Sequence, residues 1–211
     1  MTTIPPTTQT TAPRAAGPGD RQALNRVLAA AFADDPVFAW LIPDRDELVA
    51  VLPTVFDAFA DAFARHDATH LVDGDGTASE AVGAALWAPP GVEPVHPDDE
   101  DRLGERLAEA CGPHMDRMAT CMEVFGAAHP DEPVWFLQFL GVDPGHQGRG
   151  HGSTLLRAVL DAADRAGEAA YLDATSPQNR RLYERHGFRT VGDLVLPDGP
   201  TVYAMWRSPA T

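Results

Sequence analysis

The run Gln147-Gly148-Arg149-Gly150-His151-Gly152 constrains the fold of this chain more than any other stretch. It stands between an apolar segment, Trp135 to Val142, and an amphipathic one, Ser153 to Ala166. A strand that enters a glycine-rich turn and leaves it as a helix is the kernel of an α/β unit. The turn is also a cradle for an anion. The first N–H groups of a helix lack intrahelical acceptors, the macrodipole is positive there, and glycines let the backbone approach phosphate oxygens. Spelling excludes two familiar phosphate loops. A Walker A loop ends in Gly-Lys-Ser/Thr, and this chain has no lysine. The dinucleotide fingerprint needs glycine at its sixth position, where counting from Gly148 or Gly150 gives Ser153 or Leu155.

Flanking patterns supply the layers. Asp20 is placed to cap a helix running to about Ala33, with Leu24, Val27, Leu28 and Ala31 at helical spacing, and Pro36 ends it. After a loop holding Trp40 and Pro43, Leu48 to Arg65 puts Val51, Leu52, Val55, Phe56, Phe59 and Phe63 on one face. Thr69 to Asp73 and Ala81 to Trp87, split by Gly74 and Gly76, read as a hairpin. Helices follow over Arg102 to Ala110 and Met115 to Phe125, the latter with a Met118, Met122, Phe125 stripe that reads as core. Then come a strand over Trp135 to Val142, a helix over Ser153 to Ala166, a strand over Ala169 to Ala174 and a short helix over Asn179 to His186. Strands near Phe188 to Leu196 and Thr201 to Trp206 close the chain. The alternation predicts an α/β fold with at least one parallel crossover.

The length of 211 residues suits one domain, expected over 20–211. Residues 1–19, rich in Thr and Pro without a cationic start or apolar core, read as a disordered tail rather than a signal peptide. No apolar run approaches the ~20 residues of a membrane helix, so no membrane partner is expected. Cys111 and Cys121, the only cysteines, match no disulfide framework, zinc or redox pattern, and the expected compartment is cytoplasmic. The pairs His66 with His70 and His146 with His151 lack Cys or carboxylate partners, so no metal is expected. A formal net charge of −15 disfavours nucleic acid and anionic lipid and draws in cationic substrates. The oligomeric state is left open, a homodimer included.

Gln147-x-x-Gly150-x-Gly152 resembles the pyrophosphate loop of the GCN5-related N-acetyltransferases (GNAT), which move an acyl group from coenzyme A to an amine. Val142-Asp143-Pro144-Gly145-His146-Gln147-Gly148 is similar to that family's strand exit. Asn179 to Phe188, Asn-Arg-Arg-Leu-Tyr-Glu-Arg-His-Gly-Phe, resembles its second signature, a helix that carries Tyr and closes with Gly-Phe. His129 to Leu137 and Ala31 to Pro36 are similar to the puromycin N-acetyltransferase-like subgroup. The resemblance covers most of the chain after the tail, most closely from His129 onward. It implies a single-domain fold with a mixed twisted sheet of about six to seven strands, flanked by helices, whose splayed central strands hold acetyl-CoA.

Residue by residue, the resemblance implies that backbone amides of Gln147, Gly148, Arg149, Gly150, His151, Gly152 and Ser153 receive the pyrophosphate. Leu140, Gly141 and Val142 present the strand edge to the pantetheine arm. Gly141 inside an apolar strand reads as a bulge or as a close approach of another backbone, either of which leaves an amide near the thioester carbonyl. Tyr183 is the implied general acid, its phenol of unperturbed pKa near ~10 donating to a thiolate whose conjugate acid lies near ~8.5. The commonest family pattern has Asn seven positions before that Tyr, where this chain has Ser176, while Asn179 stands four before. Asn179 either bonds the pantetheine or caps the helix, and Ser176 is the alternative cofactor contact. For the base that deprotonates the amine, Glu123 and His129 are candidates, with Asp34 and Asp35 beside them. Trp40, Trp87, Trp135 and Phe32 are candidates for the wall of an aromatic acceptor site, against the alternative of core. Neither cysteine stands near a motif, which favours direct transfer over a covalent carrier.

The expected function is transfer of an acetyl group from acetyl-CoA to a primary amine of a small molecule, such as an aminated antibiotic or metabolite. A protein or peptide amine and a non-catalytic acyl-CoA sensor are the alternatives.

Overall fold

The computed structural model describes residues 12–74 and 80–210. Seven strands form one sheet: β1 (Arg14–Ala15), β2 (Thr69–Asp73), β3 (Ala81–Ala88), β4 (Val134–Val142), β5 (Ala169–Ala174), β6 (Arg189–Val195) and β7 (Thr201–Arg207), in the order β1-β2-β3-β4-β5-β7-β6. All neighbours are antiparallel except β4 and β5, which are parallel and joined by a helix. That crossover is the one predicted from the Trp135–Ala174 alternation. The helices are α1 (Arg21–Phe32), α2 (Pro36–Leu41), α3 (Arg45–Phe63), α4 (Pro97–Cys111), α5 (Met115–Ala128), α6 (His151–Ala166) and α7 (Pro177–Arg185).

The two sheet faces carry separate clusters. On β3, Ala81, Ala84, Leu86 and Ala88 join the residues of α1, α3, α4 and α5, while Val82, Ala85 and Trp87 join those of α6. All of β3 is therefore buried, which is why Ala-Val-Gly-Ala-Ala-Leu-Trp-Ala reads as a continuous apolar run of small residues. The indole of Trp87 sits in that core, away from any acceptor wall.

Local chemistry accounts for the helix starts. Asp35 caps α2, its carboxylate accepting from the N–H groups of Val37 at 2.9 Å and Phe38 at 3.3 Å. Asp44 caps α3 through the Glu47 N–H at 2.9 Å. Pro36 thus opens a helix, with its missing N–H at a position where none is needed, rather than only closing α1. Asp20 precedes α1 without a side-chain cap and bonds the Gly17 N–H and Arg14 instead. Arg14 also reaches Asp73, and Arg14 and Ala15 pair with Leu71 and His70. The part of the predicted 1–19 tail that is described is thus an edge strand with a following turn. Residues 1–11 lie outside the described residues.

Gly141 shows how tightly α1 sits on β4. A Cβ there would lie 2.8 Å from Ala31 Cβ and 3.0 Å from Leu28 Cδ2. Gly141→Val should therefore destabilise the fold by roughly 1–3 kcal/mol through overpacking, read as a lowered urea midpoint at unchanged m-value. An unchanged midpoint would mean that α1 shifts freely.

Candidate active site

The site begins where β4 and β5 part. They pair only from Val134 with Ala169 to Leu137 with Leu172, although β4 runs on to Val142 and β5 to Ala174. Beyond that point each follows its other neighbour: Phe139 to Val142 stay on β3, and Asp173 and Ala174 stay on β7. A bulge helps turn β4 away. Leu137 pairs with Trp87 and Phe139 with Leu86, leaving Gln138 as the extra residue. The expected bulge is thus present, but at Gln138, not Gly141. What approaches Gly141 is a helix surface.

The direction of the strand edge follows from one bond. Asp143 N–H donates to Val82 O at 2.8 Å, and N–H groups of successive strand residues point to opposite edges. Gly141 therefore turns its amide to β3, while Leu140 and Val142 turn theirs into the gap. Of the three predicted edge residues, two present backbone to the gap and Gly141 does not. The Val142 carbonyl is met by the Gln147 side chain, whose Nε2 donates at 3.1 Å.

The glycine turn follows directly. Gly148 has φ 74° and Gly150 φ 90°, conformations that cost L side chains energy, and α6 starts at His151. Gly152 has a steric reason instead: a Cβ would lie 3.3 Å from Leu182 Cδ2 on α7 and 3.6 Å from Leu140 Cδ2 on β4. The turn thus aims the first N–H groups of α6 outward and lets α7 pack close to α6. Arg149 is exposed, and its Nη2 donates to Gly145 O within the turn. The His151 side chain is buried. Ser153 Oγ and His186 Nε2 are 2.9 Å apart, a bond that ties the end of α7 to the start of α6.

Beside the gap lies a cavity of about 430 Å³, within the range of small-molecule sites. Phe32, Phe38, Phe59, Phe125, Phe136 and Phe139 give it an aromatic lining. Tyr183, Asn179, Thr175, Asp173, His129 and Glu93 supply polar groups, and Leu140 reaches it from β4. Trp40 and Trp135 are not on the lining and donate instead to Pro197 O and Glu168. Of the four aromatic candidates only Phe32 is on the cavity lining, which is phenylalanine rather than tryptophan. Met118 is in the core as expected and also borders the cavity, whereas Met122, expected to be core, is half exposed on the lining.

Tyr183 is buried with its ring edge-on to Phe188, and burial together with the Asp35 charge pushes its phenol above the ordinary value. It is held protonated at neutral pH. The Asp35 carboxyl is itself raised by burial, and Thr175 Oγ1 donates to it in a short bond that joins the α1–α2 turn to the end of β5. Ser176 caps α7, its Oγ accepting from Asn179 N–H at 3.2 Å, so the cap is Ser176 and Asn179 is the residue on the cavity lining. His129 lies edge-on to Phe136 and Tyr171, and desolvation lowers its imidazole below the ordinary value. Glu123 stands exposed on α5, off the lining, and Asp34 is exposed in an ion pair with Arg45. Neither is brought to the cavity.

Two features were not anticipated. Cys121 lines the cavity, and burial, with Asp35 and Cys111, pushes its thiol up to about 12. Asp173 lines it as well, accepting from Tyr171 Oη at 2.8 Å, with burial pushing its carboxyl up to about 7. An Asp within the otherwise apolar run Ala169 to Ala174 was the available signal.

A model of the acetyltransferase (GNAT) family matches residues 17–188. The chain belongs to the GNAT family. An acetyltransferase of Stachybotrys chartarum is 26% identical to it over 221 aligned positions, 92% of this chain and 87% of that protein. An uncharacterized N-acetyltransferase of Schizosaccharomyces pombe is 33% identical over 58 residues, 28% of this chain, and the chain spans only 24% of that relative. The crystal structure of histone acetyltransferase HPA2 and related acetyltransferase from Corynebacterium glutamicum is similar at TM-score 0.71 and 29% identity, over 96% of this chain and 98% of that one. Arylalkylamine N-acetyltransferase 2 from Aedes aegypti has the same fold at TM-score 0.67 and 14% identity, over 94% and 98%. The GNAT protein described here is accordingly an acetyl-CoA-dependent N-acetyltransferase.

The gap and turn fit that co-substrate: two left-handed glycines and a helix start suit a pyrophosphate, and the β4 edge suits an extended amide-bearing arm. Among the described residues no group of three His, Cys, Asp or Glu is placed to hold a metal, and no helix is long and apolar enough to cross a membrane. If backbone amides hold the pyrophosphate, Arg149→Ala weakens coenzyme A binding by less than tenfold, or ~1.4 kcal/mol, in a titration at fixed ionic strength. A larger loss would give the guanidinium the role.

Proposed function

We propose that the protein acetylates the primary amine of a small molecule with an apolar body, by direct transfer. The observation that carries this reading is the junction of a phenylalanine-lined cavity with the gap between β4 and β5. Acetyl-CoA supplies the thioester acyl group. The amides of Gln147 to Ser153 hold the pyrophosphate, Leu140 and Val142 align the pantetheine arm along β4, and Asn179 contacts it from α7. The Leu140 N–H is the donor nearest to hand for the thioester carbonyl oxygen, where negative charge grows during attack. Tyr183 Oη holds the proton that the departing sulfur needs. Its raised pKa makes it a reservoir that stays filled at neutral pH.

Direct transfer is favoured although Cys121 lines the cavity. A thiol pushed up to about 12 yields little thiolate at neutral pH, and the thiolate is the nucleophile. A small acceptor is favoured over a polypeptide because the lining converges from α1, α2, α5, β4 and β5, whereas a peptide needs an open groove. The name of the Aedes aegypti relative points the same way, that of the Corynebacterium glutamicum relative toward histone. The puromycin-like spelling of Ala31 to Pro36 and of His129 to Leu137 puts amino-bearing antibiotics in the acceptor panel.

A thiol-release assay with acetyl-CoA tests this against arylalkyl amines, polyamines, aminated antibiotics and a lysine peptide. Arylalkyl or other apolar amines should turn over fastest. Release with the peptide alone would support a polypeptide acceptor, and tight acetyl-CoA binding with no release for any amine would support a sensor. In the same assay Tyr183→Phe should lower kcat by about 10²-fold, in the range usual for a lost general acid, with acetyl-CoA affinity unchanged. Unimpaired turnover would remove Tyr183 from that role.

A further inference from the structure

Among the described residues several buried or half-buried carboxylates meet an arginine. Asp73 meets Arg14, Asp99 meets Arg65 and Arg102, and Asp164 meets Arg207. Asp173 differs. Its side-chain partner is a phenol, the Tyr171 Oη at 2.8 Å, and among the described residues lining its cavity there is no arginine. A desolvated carboxylate without a counter-cation is costly, and a bound ammonium would supply the missing charge.

Position makes that ammonium the acceptor's. Strand alternation sends Tyr171 and Asp173 to one face of β5 and Leu172 and Ala174 to the other. Leu172 and Ala174 pack in the cluster that contains Tyr183, Phe188 and the residues of α6. Tyr171 faces the opposite way, against Phe136 and His129. Asp173 also directly follows Leu172, the last β5 residue paired with β4, so it stands at the mouth of the gap. The cavity lining includes both Asp173 and Tyr183. A carboxylate from one sheet face and a phenol from the other thus border the place where amine and thioester must meet.

We propose that Asp173, positioned by Tyr171, is the acceptor-amine site: its carboxylate binds the substrate ammonium and takes a proton from it before attack. Ammonium binding stands on the cavity alone, whereas the proton transfer rests on the transferase reading. The free amine then forms the C–N bond as the C–S bond breaks. Tyr183 protonates the sulfur, and the second proton lost by nitrogen replaces the one Tyr183 gave. Asp173 releases its own proton to solvent, so each turnover yields amide, thiol and one proton.

The sign of the pH dependence follows. Asp173 acts as carboxylate, and burial pushes its pKa up to about 7 against the opposing hydrogen bond from Tyr171. Among the described residues the other ionisable groups around the cavity are Tyr171 on β5, His129 before β4, Glu93 after β3, Cys121 on α5, whose thiol burial keeps protonated, Tyr183 on α7 and, behind Thr175, Asp35. His129 is kept neutral by desolvation and brings no positive charge at neutral pH. The kcat/KM for an amine should rise as pH increases through about 7. Tyr171→Phe removes the bond that favours the carboxylate and should move the rise to higher pH.

The test uses the full chain with 2-phenylethylamine. Binding is measured calorimetrically at pH 8 without acetyl-CoA, and turnover by thiol release from pH 5.5 to 9. Asp173→Asn should weaken amine binding at least tenfold and abolish the rise near neutrality, with acetyl-CoA affinity retained as the control for folding. If Asp173→Asn does not fold, the Tyr171→Phe profile decides, and an unmoved rise overturns the proposal. A wild-type protein that binds the amine through Asp173 without turning it over keeps the ammonium site and fails the transferase reading. Equal amine affinity in wild type and Asp173→Asn overturns the site whatever the turnover. A rise that survives in Asp173→Asn and vanishes in His129→Gln gives the base to His129 and overturns the proton-transfer role.

Discussion

The parting of β4 from β5 beyond Leu137 and Leu172 is the constraint on which the remaining architecture depends. Opening a sheet in its middle exposes backbone donors and acceptors that a folded protein seldom leaves unsatisfied. The chain tolerates it because each strand keeps its other partner, β4 on the fully buried β3 and β5 on β7. The edge groups of Leu140 and Val142 are then left facing the gap. The gap lies where open α/β sheets usually take their ligands, beyond the carboxyl ends of parallel strands. The glycine turn leaves the end of β4, and the turn into α7 leaves the end of β5. One gap thus puts the cradle, Tyr183 and Asp173 around a common space.

Which parts of this were legible in the sequence follows from the range of the interactions. The turn from Gln147 to Gly152 and the β4–α6–β5 crossover rest on local spelling and periodicity, and the structure has both. The short helix α2 was missed, since Pro36 reads equally as a helix end or a helix start until the Asp35 cap is seen. Gly141 illustrates a second limit. Glycine in a strand signals missing space but not its owner, and here the owner is α1, more than a hundred residues earlier in the chain. The bulge falls on Gln138, whose side chain gives no cue. For Ser176 and Asn179 the spelling offered two ways of sharing a cap and a cavity position, and only the Asn179 N–H to Ser176 Oγ bond separates them. The helical stripe places Met118 in the core as its periodicity suggests, but periodicity does not announce that a cavity lies beside it and leaves Met122 half exposed.

Asp35 connects the two halves of the site in a way no local pattern encodes. It caps α2, accepts from Thr175 at the end of β5 and bears electrostatically on both Tyr183 and Cys121. Its negative charge disfavours ionisation of each neighbour. The Tyr183 phenol is thereby kept protonated, and the Cys121 thiol is kept from becoming a thiolate. Its own pKa is raised by its burial. The bonds to Val37 N–H, Phe38 N–H and Thr175 Oγ1 oppose that rise and fix the group in place. Asp35 is thus a structural cap whose electrostatic influence reaches Tyr183 and Cys121, whereas Asp173, with a single phenol for support, stands on the cavity lining itself.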